Sequence, residues 1–236
     1  MENLGNIRAA VQDDLTVGDE STLYSPNLID RAINRAYRKV GGLFAWPELQ
    51  DAKKTSTQAS QEYYDYPQNW RSNSIWKVVI DDVRYGEDPD GSPLSFDDYL
   101  NWKEDYPDST EKKWSNQWRR FFVWPVPTTQ GSNNIHVWGI KVITALSADA
   151  DTTIFTYSTP ECNEAIELEA VAILRSKGDD NDTSQFKSVE AKQILTVAWN
   201  KIAKEQAKME KNQPFFYVND FFGNSNSKDL RGRFDI

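Results

Sequence analysis

Apolar positions near the start of the chain recur at spacings of three and four. Leu4, Ile7, Val11 and Leu15 make one stripe and predict a helix. After the polar break GDEST, Ser25-Pro26 pairs an N-cap residue with proline at the first helical position. Ile29, Ile33, Ala36, Tyr37 and Val40 then form a second stripe. Gly41-Gly42 end that helix or allow a close crossing, and Leu43, Phe44 and Trp46 crowd together before Pro47.

From residue 51 the period changes. Segments 52–58, 62–66, 75–80, 83–85, 118–124, 135–143 and 152–156 are short, rich in β-branched or aromatic residues, and bounded by Pro, Gly, Asn and Asp. Pro67, Pro89, Pro93, Pro107, Pro125 and Pro127 punctuate this stretch, which no long helix would tolerate. Ser95 followed by FDDYLNWKED predicts one short helix within it. The expectation for 51–157 is an inserted antiparallel β-domain, a small sandwich or barrel.

Helical spacing returns after Pro160. Ala165, Leu168, Ala172 and Ile173 lie on one side of the first helix, and Lys177-Gly178 are stop signals. Asp182 or Thr183 can cap a second helix over roughly 184–211, with Phe186, Val189, Leu195, Trp199, Ile202 and Ala203 as its stripe. The four residues DDND between them predict an antiparallel hairpin. The fold class expected is therefore α+β. Residues 1–50 and 158–211 supply a helical body, since neither block has enough apolar surface alone, and 51–157 is the insert. Residues 212–236 keep neither period and combine polar low-complexity sequence with Phe215, Phe216, Tyr217, Phe221, Phe222 and Phe234. Six exposed rings invite association, so this arm packs on its own body or serves a partner.

Composition narrows the classes. Of 236 residues, 39% are hydrophobic and 13% aromatic, too many to leave unburied in a disordered chain. No run of 18 apolar residues predicts a membrane span, and the first residues show neither the basic flank nor the apolar stretch of a secretory signal. The single Cys162 removes a disulfide framework, and the single His136 removes two-histidine metal motifs. With 27 basic and 36 acidic residues the formal charge is −9, which argues against a surface built to neutralise phosphates. Eleven basic against 16 acidic side chains put the largest excess, −5, in 51–157.

Candidate chemistry is sparse. Counting Asp179 as position 1 of a calcium loop puts Asn181, Thr183 and Glu190 at ligand positions, but Ser184 stands where that loop needs glycine. The acidic pairs Asp81/Asp82, Asp97/Asp98 and Asp149/Asp151 could serve a glycosidase only if two carboxylates flanked a cleft, and each pair sits where Asp favours turns or helix starts. No phosphate-loop or nucleophile-elbow motif occurs. Trp102, Trp114, Trp118, Trp124 and Trp138, with Arg119 and Arg120, could stack bases or sugars, or fill a β-core and subunit contacts. The local negative charge favours core and contacts.

The order of signals resembles the head-to-tail adaptor (connector) proteins of tailed bacteriophages. The resemblance rests on YSPNLIDRAINRAYRKVGGLFAWPEL, QEYYDYPQNW, SFDDYLNWKED, FFVWPVP and TPECNEAIELEAVAILRSKG, and covers about residues 1–211. It implies a helical body from both chain ends carrying a β-domain, in subunits that form a ring, usually of twelve, under the portal protein. Such a ring extends the DNA channel, in the neck between capsid and tail, and offers a platform to tail or nozzle proteins. The C-terminal segment would reach onto the portal. That makes Phe215, Phe216, Tyr217, Phe221, Phe222 and Phe234 the expected portal-binding residues. An assembly role without catalysis, metal, cofactor or membrane is expected, with DNA sliding past negative walls unbound. The alternative is a β-domain that binds carbohydrate through its tryptophans.

Overall fold

The computed structural model describes residues 2–16, 24–86, 91–178 and 180–209. The arm, with all six of its aromatic residues, lies outside them, as does Asp179. The fold is α+β, with five α-helices and two antiparallel sheets among the described residues. The described residues divide into two compact units, one drawn from 2–45 with 145–209, the other from 46–144.

The helical unit contains α1 (Leu4–Thr16), α2 (Pro26–Leu43), α4 (Glu161–Arg175) and α5 (Asn181–Met209). Both N-terminal stripes are buried as the spacing predicts: Leu4, Ile7, Val11 and Leu15 on α1, and Ile29, Ile33, Ala36, Tyr37 and Val40 on α2. Gly41 and Gly42 stay helical, and Phe44 then stacks on Trp199 with centroids 4.9 Å apart. The strand expected at 152–156 does not form. The residues leading into it lie at the start of α1 instead, where the carbonyls of Asp151 and Asp149 accept from the N–H groups of Leu4 and Gly5 at 2.9 and 3.1 Å, and Thr152 bridges Asn3. A helix start leaves such donors without intrahelical partners, and this loop satisfies them. Phe155 is buried edge-on against Tyr37, whose hydroxyl accepts from the Ile154 N–H at 2.9 Å.

The α4–α5 hairpin is tied locally. Asp180 Oδ1 accepts from the Thr183 N–H at 3.2 Å, and its other oxygen receives Arg175 at 3.1 Å. Helix α5 departs from its predicted stripe. Leu195, Trp199 and Ile202 are buried, but Phe186 and Val189 are 68% and 51% exposed, and Ile173 on α4 is only half-buried. The buried line of α5 runs instead through Ala191, Leu195, Ala198 and Ile202, a choice of helix rotation that spacing alone leaves open.

The β-unit holds β1 (Gln50–Thr55), β2 (Tyr63–Asp65), β3 (Lys77–Ile80), β4 (Val83–Tyr85), α3 (Phe96–Asp105), β5 (Lys113–Gln117), β6 (Arg120–Trp124) and β7 (Ile135–Ile140). Strand β5 carries no apolar alternation and escapes the sequence reading. One sheet runs β1-β7-β3-β4, the other β2-β6-β5. A single core joins their inner faces, with Val78, Ile80, Tyr85, Ile135 and Val137 from the first and Tyr64, Trp114, Phe121 and Val123 from the second. Gly139 on β7 is required by packing, because a Cβ there would lie 2.5 Å from the fully buried Trp70 ring. Eight of the nine tryptophans belong to this unit; Trp199 is the ninth.

Candidate functional site

The carboxylate pairs have structural work. Asp81 and Asp82 form the β3–β4 turn, both at positive φ, and Asp81 Oδ1 accepts from the Asn134 amide at 2.9 Å. Such left-handed turn positions suit Asp because its short side chain bonds locally. Asp98 belongs to the N-cap of α3, where Ser95 Oγ accepts from its N–H at 3.1 Å. Arg8 binds Asp30 at 2.7 Å and Asp149 at 2.9 Å. Asp151 gathers the N–H groups of Ser147 and Ala148, which hold its carboxyl below the usual range. Among the described residues no group of three His, Cys, Asp or Glu is placed to hold a metal ion. Cys162 is buried at the start of α4.

The tryptophans are dispersed rather than assembled into a platform. Trp114 is fully buried, its indole N–H donating to the Gly91 carbonyl at 3.0 Å. Trp124 donates to the Ser109 carbonyl at 3.1 Å and lies under the Lys103 ammonium, while Trp102 meets Tyr106. Trp118 projects from the β5–β6 turn, 74% exposed. The arginines are equally committed. Arg119 donates to the carbonyls of Trp70, Pro67 and Gln68, and Arg120 pairs with Asp65 at 3.1 Å while lying 4.7 Å over Tyr63. Carbonyl-clamped arginine pins a loop and is not free to stack a base.

Pairing of β7 with β1 and β3 exposes what the strands conceal singly. On the outer face of the four-stranded sheet, Lys54, His136, Val79 and Arg84 lie in one cross-strand row, and Ala52, Trp138 and Lys77 in the next. Residues directly opposite on one face are neighbours. Lys77 sits 4.5 Å over the Trp138 ring, and the imidazole of His136 is 6.3 Å from the same residue. The strand residues of this face, Gln50 and Ile140 included, contain no carboxylate. None of Lys54, Lys77 and Arg84 makes an ion pair among the described residues. Burial and the positive charge of Arg84 push the Lys77 ammonium below its ordinary value, as an uncompensated cation should be.

The opposite side of the same unit is acidic. Helix α3 lays Phe96 and Tyr99 on Phe122, on the outer face of the three-stranded sheet, with centroids 5.0 and 6.2 Å apart. Tyr99 and Lys103 both bind Glu62. That orientation turns Asp97, Asp98, Glu104 and Asp105 outward, all exposed, beside the 39% exposed Leu100. These four also lack an ion pair among the described residues. Glu104 and Asp105 occupy the last helical turn, where the partial negative charge of the helix end disfavours them.

In the helical unit, an open cavity of about 360 Å³ is lined by Lys39, Glu169, Ser176, Ser184, Ser188 and Lys192, among others. Its buried Glu169 is already satisfied by Lys39 and by the Ser188 hydroxyl, the latter at 3.0 Å. Compared with known protein families and with curated proteins, the chain matches none.

Proposed function

We propose that this chain is a structural adaptor of the head-to-tail connector type, forming a ring, of twelve subunits in the family it resembles, between a portal and a tail. The observation that supports this most is the division of the chain. Helices from both ends, residues 1–45 and 145–209, share one compact unit, while the β-rich residues 46–144 form another. A helical body with an inserted β-domain, as the resemblance implies, would divide the chain in this way. The role is one of assembly rather than catalysis, and the carboxylates best suited to chemistry serve turns, caps and ion pairs.

The portal-docking element in this reading is the arm, residues 212–236, through Phe215, Phe216, Tyr217, Phe221, Phe222 and Phe234. Twenty-five residues can extend up to roughly 80 Å at about 3.3 Å each, enough to cross a neighbouring subunit. Buried phenylalanines can return about 1.5–3 kcal/mol apiece against the entropy of ordering such a segment. Co-sedimentation with portal rings tests it. The full chain should pellet with the portal, and the chain lacking 212–236 should stay in the supernatant while melting nearly unchanged. Equal binding by the truncated chain would remove the arm from the role, and no binding by the full chain would remove the adaptor reading itself.

A further inference from the structure

We infer that the two charged faces of the β-unit meet head to tail between copies of this chain, the basic sheet face of one against the acidic α3 face of the next. The faces lie on opposite sides of one core. Lys54, Lys77 and His136 stand on the outer side of the four-stranded sheet, with the half-buried Arg84 guanidinium beside them, and α3 covers the outer side of the other sheet. A slab with unlike charges on its two outer faces is complementary to a translated copy of itself. That geometry is heterologous, so it propagates and closes into a ring when the rotation per subunit allows. It rests on the adaptor reading for the ring it closes; the charges that carry it do not.

Four observations point to a second copy as occupant. The basic face is a local exception in a chain of net charge −9, so its complement is abundant on the chain itself. Residues 95–111 carry six carboxylates, Asp97, Asp98, Glu104, Asp105, Asp108 and Glu111, against the single Lys103, which is engaged by Glu62. Asp97, Asp98, Glu104 and Asp105 on one face and Lys54, Lys77 and Arg84 on the other make no ion pair among the described residues, although charges elsewhere on the chain, such as Arg120 with Asp65 and Lys187 with Asp14, have found partners. Finally, two acids in the last turn of α3 oppose the helix dipole, a local cost that a cationic neighbour would offset. Trp138 and Leu100 add one apolar contact to each face, the usual company of charges at an interface.

The sheet face spans on the order of 300 Å², from four strands about 4.8 Å apart and some five residues long, well below the ~800 Å² per partner of a stable interface. The contact is therefore weak by itself, concentration-dependent, and sensitive to salt because Lys54 and the α3 carboxylates are exposed. Sedimentation velocity on the full chain at high protein concentration and low ionic strength should show a sedimentation coefficient that rises with concentration and falls back as salt is added. Lys54→Glu/Lys77→Glu and Asp97→Lys/Glu104→Lys should each abolish that rise, with circular dichroism unchanged. The first variant keeps its acidic α3 face and the second its basic sheet face, so mixing them should restore one native contact per pair. A wild-type chain that stays monomeric, double variants that associate as it does, or a mixture that stays monomeric would each overturn the contact. Binding of a labelled DNA duplex by the wild-type chain without self-association would also overturn it, assigning the basic face to nucleic acid. Portal co-sedimentation is read separately, so loss of one property with retention of the other shows which reading has failed.

Discussion

Asn34 pairs with Leu146 as one strand residue pairs with another. Its side-chain amide donates to the Leu146 carbonyl at 2.9 Å, and its side-chain carbonyl accepts from the Leu146 N–H at 2.8 Å. A buried polar residue in the middle of α2 thereby fixes a loop 112 residues away in sequence. Asn34→Ala leaves both backbone groups of Leu146 unpaired and buried, and should cost about 2–4 kcal/mol of stability. Asn34→Asp should also destabilise, since it retains the acceptor and loses the donor. Urea titration followed by circular dichroism measures both.

Glu167 gives the helical unit a pH dependence of definite sign. Burial, with Glu2, Glu164 and Asp14 nearby, pushes its carboxyl up to about 7 from an ordinary 4.5. The native state then holds this proton more tightly than the unfolded chain does. Stability attributable to Glu167 is complete below about pH 4.5, is lost as pH rises, and is gone above about 7. Glu167→Gln should therefore melt like the wild type at pH 4.5 and be more stable by about 1–2 kcal/mol at pH 8. Thermal melts at the two pH values decide this, and equal gains at both would refute it.

Gly139→Ala should destabilise the β-unit by about 1–3 kcal/mol, because the added methyl meets the Trp70 ring and neither Trp70 nor the strand has room to yield. Gly42→Ala provides the contrast. Beyond its chain neighbours and the backbone of its own helix, no atom lies within 4 Å of its new methyl and the position is helical, so that variant should be neutral or slightly more stable. Chemical denaturation of the two variants side by side measures the difference.

Replacing residues 46–144 by a Gly/Ser linker should leave a helical protein that melts cooperatively. The stripes of α1 and α2 are buried in a unit that contains α4 and α5, so the hydrophobic core of the helices is present without the β-residues. Circular dichroism at helical wavelengths is the readout. A chain without helical signal would show that the helices need the β-unit to fold.

Helices with strong apolar spacing were legible in the residues, and those without it were not. Leu4, Ile7, Val11 and Leu15 can face only one way, whereas α5 has apolar residues on more than one side and its rotation is chosen by what packs on it. Thr152 to Thr156 look like a strand because β-branched residues suit strands, but only Thr152 makes a bridge, to Asn3 roughly 150 residues distant, while the Ile154 N–H donates to the Tyr37 hydroxyl and the Thr156 N–H turns back to the Thr153 carbonyl. The basic face was invisible for the same kind of reason. Lys54, Lys77 and Arg84 belong to three strands, and only pairing with β7 and the β3–β4 hairpin bring them beside His136. Single-strand alternation gives the face of each residue but not its cross-strand neighbours.

The uneven distribution of tryptophan makes the two units separately visible in one sample. With Trp46, Trp70, Trp76, Trp102, Trp114, Trp118, Trp124 and Trp138 in the β-unit and Trp199 alone in the helical one, indole emission is dominated by the sheets. Far-ultraviolet ellipticity at 222 nm is dominated by α1, α2, α4 and α5, which greatly outnumber α3 in residues. Two curves recorded from a single titration thus report two different cores. If they coincide, the chain unfolds as one cooperative body; if they separate, the gap between their midpoints measures how independently each unit stands.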